Sequence, residues 1–219
     1  MTERSTDSLN IASKLELQAA LRPFQRGVVF PEGRDEDGNV RWTHLSFQDL
    51  NQRADEYARG FQAAGIQVGD RVSLLVKPCL DFIPLVFAIF KIGALPVLVD
   101  PGMGRKPFLQ CIENIQPRAL IGEPIVMVLK GLFRRSFSSV KIPITVGRST
   151  GWWGGRTLAD CRIVGDVPFD TFQAKREDEA AILFTSGSTG PAKGSPIPTG
   201  FLMLRRDTFS RCTTFNPVK

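Results

Sequence analysis

Residues 180–184, Ala-Ala-Ile-Leu-Phe, form a short apolar run that stops abruptly at Thr185-Ser-Gly-Ser-Thr-Gly-Pro-Ala-Lys-Gly194. The run has strand length, and it empties into a loop rich in hydroxyls and glycine. Gly187 and Gly190 let the backbone turn tightly and approach a ligand with no Cβ in the way. Thr185, Ser186, Ser188 and Thr189, together with the loop amides, can donate to phosphate oxygens, and Lys193 adds a compact positive charge. The common P-loop pattern is not matched, because it needs Gly-Lys-Ser/Thr in direct succession and here Lys193 follows Gly190 by three. A generic Ser/Gly-rich loop would account for any one of these features. It does not account for strand, spaced glycines, hydroxyls and lysine together.

Upstream, strand and helix patterns alternate. Ser46-Phe-Gln-Asp49 resembles a capping box with Asp in place of Glu. Phe47, Leu50, Ala54, Tyr57, Ala58 and Phe61 then recur at helical spacing, and Gly65 ends the helix. Val68-Gly-Asp70 signals a turn, residues 71–76 read as a buried strand, and residues 80–91 read as a second helix that stops at Gly93. Residues 95–99 form the next strand, followed by the turn Asp100-Pro-Gly-Met-Gly104. Shorter strands are expected at 118–121, 142–146 and 180–184. The spacing predicts an α/β fold, a mainly parallel sheet flanked by helices. In such sheets ligands sit beyond the carboxyl ends of the strands, where both glycine-rich turns fall. Residues 147–155 read as an irregular loop whose Trp152 and Trp153 anchor against the domain.

These motifs resemble the adenylate-forming (AMP-binding) enzymes: acyl-CoA synthetases, luciferases and peptide-synthetase adenylation domains. Phe184-Thr-Ser-Gly-Ser-Thr-Gly-Pro-Ala-Lys-Gly194 looks like their signature loop, with Pro191 one residue earlier than usual. Leu45-Ser-Phe-Gln-Asp-Leu, Ala58-Arg-Gly-Phe, 65–72 and Phe90-Lys-Ile-Gly-Ala-Leu-Pro-Val-Leu-Val-Asp-Pro101 extend the resemblance over most of residues 9–194. Val97-Leu-Val-Asp-Pro-Gly-Met-Gly104, Val29-Phe-Pro-Glu-Gly-Arg-Asp35 and Val146-Gly147 are similar to one branch. Its members, from bacterial olefin biosynthesis, convert a long-chain β-hydroxy acid into a β-lactone.

The resemblance implies the N-terminal, incomplete part of the large domain, acting on ATP with Mg2+ and a fatty acid as small-molecule substrate. It implies phosphate-binding roles for Thr185, Ser186, Gly187, Ser188, Thr189, Gly190, Lys193 and Gly194. Association with other olefin-pathway enzymes is a further expectation. The family's acidic metal ligand, ribose-binding aspartate and C-terminal lid with its lysine have no counterpart in the chain, so no catalytic residue is assigned and 1–219 is expected to be inactive alone. Two other readings stand beside this one: part of a fatty-acyl-CoA synthetase, and a non-catalytic nucleotide-binding module. The module would be soluble and cooperatively folded, whereas an incomplete domain would expose apolar surface and aggregate.

Composition excludes other classes. Net charge is +6, with +3 of it in residues 195–219, and no RNA-binding signature appears, so nucleic-acid binding is not expected. Cys79, Cys111, Cys161 and Cys212 contain no Cys-x-x-Cys pair, and with His44 alone there is no zinc set. Reduced thiols in a cytoplasmic protein are expected. His44 reads as a polar residue at a strand end. The polar start, Met1 to Asn10, has no apolar segment after it, so no signal peptide is expected. Residues 82–99 are nearly apolar, but Pro84, Lys91, Gly93 and Pro96 divide them into helix and strand rather than a membrane span.

Past Gly194 the resemblance to relatives is expected to end. Ser195-Pro-Ile-Pro-Thr-Gly200 carries two prolines where relatives open a helix with Thr-His. Permissible codons for 197–219, read one base out of frame, yield Thr-His and an amphipathic helix when synonymous bases are chosen to suit. Residues 195–219 are therefore expected to be a frameshifted tail, in poor agreement with the fold before it.

Overall fold

The structure, a computed structural model, describes residues 9–99, 104–147, 151–184 and 195–199. The chain opens with α1 (Ile11–Leu21), which the sequence patterns did not signal. Asn10 caps it by accepting from the Ala12 amide at 2.9 Å, and donates to the carbonyls of Phe90 and Phe172 at 2.8 Å each. One buried amide thus starts a helix and ties it to two distant segments. An antiparallel hairpin follows, β1 (Arg26–Arg34) and β2 (Val40–Ser46), with His44 exposed on β2.

Helix α2 (Phe47–Ala63) begins at the expected capping box. Ser46 Oγ accepts from the Asp49 amide at 3.1 Å, and the Asp49 carboxylate accepts from the Ser46 amide at 3.2 Å. Gly65 beyond it takes φ +95°, a left-handed conformation that favours glycine. Strand β3 (Arg71–Leu75) leads to α3 (Phe82–Lys91), whose Pro84 lies in the first turn, where a missing amide costs nothing. Then come β4 (Leu95–Val99), α4 (Arg105–Ile115), β5 (Ala119–Gly122), α5 (Pro124–Leu132) and β6 (Ile142–Thr145). A short 3-10 turn at Gly151–Trp153, β7 (Arg156–Thr157), β8 (Glu179–Phe184) and β9 (Ser195–Pro198) complete the described elements.

Seven strands form one sheet in the order β7-β6-β5-β3-β4-β8-β9, parallel throughout except for β9 against β8. Period-two alternation sends side chains to two cores. Val72, Leu74, Ala119, Ile121 and Ile144 meet Phe61 of α2 and Leu85, Ala88 and Ile89 of α3. Val97, Val99, Leu120, Ile182 and Phe184 meet Cys111 and Ile112 of α4 and Met127 of α5 on the opposite face. Helices therefore cover both faces, as a parallel sheet requires. Residues 82–99 are a ten-residue helix and a strand, and no helix among the described residues is long and apolar enough to cross a membrane.

Three details differ from the sequence patterns. Helices α4 and α5 lie where no element was assigned. The 147–155 segment contains the 3-10 turn and leads into β7, although 148–150 lie outside the described residues. Trp153 is anchored as expected, its Nε1 donating to Thr145 Oγ1 at 3.0 Å, but Trp152 is 75 % exposed. Residues 195–198, assigned to a tail, pair with β8; the rest of that tail, apart from Thr199, lies outside the described residues, as does 1–8.

Candidate functional site

The site is built at the carboxyl edge of the sheet. Strand β8 is the last parallel strand there: β4 pairs with one side in parallel register, Val97 opposite Ile182 and Val99 opposite Phe184. β9 pairs with the other side, Ser195 opposite Leu183. Residues 185–194, including Thr185, Ser186, Gly187, Ser188, Thr189, Gly190, Lys193 and Gly194, lie outside the described residues. The described residues end at Phe184 on β8 and resume at Ser195, which pairs with Leu183 beside the carboxyl end of that strand.

Strands β3 and β4 are neighbours, yet α3 follows β3 onto one face while α4 follows β4 onto the other. Connections that part in this way open a crevice at the strand ends, the usual ligand position in such sheets. Gly104, the last residue of the turn expected at 100–104, takes φ +85° as the N-cap of α4; residues 100–103 lie outside the described residues. At the same edge Lys77 follows β3 and Glu123 follows β5, with Lys77 Nζ 3.7 Å from Glu123 Oε2. Neither was singled out in the sequence, although each lies within two residues of a strand end.

The cysteines are unsuited to nucleophilic work. Burial raises the pKa of Cys79, Cys111 and Cys161, the last to about 11, so all three stay protonated thiols at neutral pH. Among the described residues none of the three is in a disulfide, and Cys212 lies outside the described residues. Among the described residues no three His, Cys, Asp or Glu side chains gather into a metal-binding group. The phosphate-binding roles expected of 185–194 fall on residues outside the described ones.

A mainly parallel sheet covered by helices on both faces defines a doubly wound α/β domain. The AMP-binding enzyme family matches residues 15–216, a span that continues past Gly194, and the chain belongs to that family. It is 41% identical over 196 residues to an olefin beta-lactone synthetase of Xanthomonas campestris pv. campestris, covering 87% of this chain and 34% of that protein. It is 42% identical over 189 residues to an olefin beta-lactone synthetase of Stenotrophomonas maltophilia, covering 84% and 34%. The chain thus spans about a third of the length of these relatives. Its fold resembles the crystal structure of a putative long-chain-fatty-acid CoA ligase from Rhodopseudomonas palustris. That match has a TM-score of 0.75 at 22% identity and covers 94% of this chain and 49% of that one.

Proposed function

We propose that residues 9–194 supply the phosphate-binding part of an enzyme that activates a long-chain β-hydroxy carboxylic acid with ATP on the way to a β-lactone. The observation that carries this reading is the likeness to two olefin beta-lactone synthetases at 41% and 42% identity over most of this chain. The AMP-binding family match over residues 15–216 supports it.

On this reading Thr185, Ser186, Ser188 and Thr189 donate to phosphate oxygens, and Gly187, Gly190 and Gly194 keep the backbone close. Lys193 neutralises charge that builds as pyrophosphate departs. Donors fixed before the reaction stabilise that charge better than water, because they need not reorganise. Magnesium, bound with the nucleotide, supplies further charge neutralisation. No group among the described residues is assigned to orient the carboxylate for attack on the α-phosphate or to hold the ribose.

The test is pyrophosphate exchange and product analysis. We expect no acid-dependent exchange from residues 1–219. We expect the full-length enzyme of this type to give a lactone without coenzyme A. A thioester that forms only with coenzyme A would replace the lactone reading with an acyl-CoA ligase. Strong exchange by 1–219 would overturn the assignment of this chain to the phosphate-binding part alone.

A further inference from the structure

We propose that the outer face of α5, with the neighbouring end of α4 and Trp152, docks on the surface of an anionic phospholipid bilayer. The first observation is that α5 is apolar on both sides. Met127 points inward and is fully buried. Ile125 and Leu132, seven residues apart and so on one helical face, are 62% and 70% exposed. The ring of Trp152 extends the stripe: it reaches within 2.8 Å of where a Cβ on Gly131 would stand, and is itself 75% exposed. A helix apolar on its solvent side is ordinarily one that meets something.

The second observation is charge. Residues 105–156 contain nine Lys and Arg against two Glu, a net of +7, whereas the whole chain carries +6. The rest of the chain is therefore at −1, and the excess gathers in the segment that forms α4, α5 and their flanks. Arg105, Lys106, Arg134 and Arg135 are exposed, and the Arg105 guanidinium lies 6.0 Å over the Phe133 ring, which brings the end of α5 to the start of α4. Arg105 and Lys106 occupy the first turn of α4, which holds no acidic residue. The helix dipole disfavours cations there, so their placement contributes nothing to the helix itself.

Exposed apolar side chains on a segment rich in exposed Arg and Lys match a bilayer interface, where the former enter the acyl boundary and the latter meet anionic headgroups. A nucleic-acid surface would be served by the cations but not by Ile125, Leu132 and Trp152 protruding between them. Helix α4 starts within a few residues of the end of β4, the neighbour of β8. Docking would therefore set the carboxyl edge against the phase in which long-chain acids partition. That purpose rests on the proposed function; the docking itself does not.

Vesicle flotation of the 219-residue chain tests it, because bound protein rises with lipid while aggregates sink. The chain should float with phosphatidylcholine vesicles containing phosphatidylglycerol at low salt, and not with phosphatidylcholine alone. High salt should release it. Arg134→Gln with Arg135→Gln should weaken binding about fivefold per charge removed. Leu132→Ser should weaken it without changing the salt dependence, and Trp152→Phe should abolish the blue shift of tryptophan emission on binding. Phe24→Ser, which alters an exposed phenylalanine in the turn between α1 and β1, should leave flotation unchanged. No flotation, equal flotation on neutral vesicles, loss with Phe24→Ser, or salt-sensitive binding of short RNA in place of vesicles would each overturn the proposal. Since no ATP or acid is present, failure here leaves the proposed reaction standing.

Discussion

Lys91 Nζ lies 2.8 Å from Asp55 Oδ1, and the lysine side chain is entirely buried. The pair joins the end of α3 to the middle of α2. The same ammonium donates to Glu16 Oε1 of α1 at 2.7 Å and contacts Thr171 Oγ1 at 3.4 Å. The Phe169 amide completes the Asp55 environment by donating to Oδ2 at 3.3 Å. Three helices and the 169–171 segment thus converge on one charge, at the opposite end of α3 from the carboxyl edge of the sheet.

Removing one member of a buried ionic cluster leaves its partners charged and unpaired, at a cost of about 3–5 kcal/mol. Lys91→Met should therefore lower unfolding stability by that amount, measured by urea denaturation. Lys91→Met combined with Glu16→Leu and Asp55→Leu should recover most of it, since apolar groups of similar volume need no compensation. If the triple variant is no better than the single, the cluster is not held together by charge pairing.

The capping box at α2 gives a pH-dependent counterpart. Ser46 Oγ donates to Asp49 Oδ2 at 2.6 Å, and this hydrogen bond, chiefly, holds the Asp49 carboxyl below its ordinary value of 3.8. A depressed folded pKa contributes stability above the unfolded value and loses it as pH falls through the folded one. Asp49→Asn should thus be less stable than the native chain at neutral pH, with the gap closing below about pH 4. Ser46→Ala removes the acceptor of the Asp49 amide and should cost about 1 kcal/mol. Chemical denaturation across pH checks both; a gap that persists at low pH would assign the effect to packing.

Much of this fold was legible because local signals agreed. The capping box at Ser46 and Asp49 and the strand at 95–99 appear as read. Helix α1 was not legible: its cap, Asn10, is recognisable only beside Phe90 and Phe172, which are distant in sequence. Helix α5 was missed for another reason, since apolar residues on both sides erase the periodicity that marks a surface helix. Lys91 read as a polar interruption in an apolar run, and nothing local identifies Glu16 and Asp55 as its partners. The excess of basic residues in 105–156 is countable in the sequence, but their neighbours are not: Arg118 meets Asp70 and Arg105 meets Phe133 only in the fold. For the site, the loop's chemistry is an expectation from the sequence, and its residues lie outside the described ones. The pairing of β9 with β8 was not legible, because Pro196 and Pro198 argue against a strand until the edge position of β9 is seen.

Gly60 illustrates a glycine fixed by its neighbour rather than by its backbone. It lies inside α2, where alanine would improve helix propensity by about 0.5–1 kcal/mol. A Cβ there would stand 1.7 Å from the Cys161 carbonyl oxygen, and backbone cannot swing aside as a side chain can. Overpacking of this kind costs about 1–3 kcal/mol or more, so the contact outweighs propensity. Gly60→Ala should destabilise the chain and loosen the 158–169 segment, read as faster hydrogen exchange there. A stabilised variant would show that segment to be only loosely seated on α2.

Cys161 itself provides a chemical readout of that seating. It is fully buried in the core beneath α2, and burial pushes its thiol up to about 11. The reactive species is the thiolate, whose population at neutral pH is then smaller than that of an ordinary thiol by about a hundredfold, at tenfold per pH unit. Access adds a second barrier, because the sulfur must leave the core before it meets reagent. Iodoacetamide should therefore label Cys79, which is only partly buried, well before Cys161 in the native chain. Gly60→Ala should speed labelling at Cys161 and leave Cys79 unchanged, since only the former lies against the altered contact. Equal rates at the two sites in the native protein, followed by peptide mass spectrometry, would mean that the 158–169 segment opens freely from the sheet.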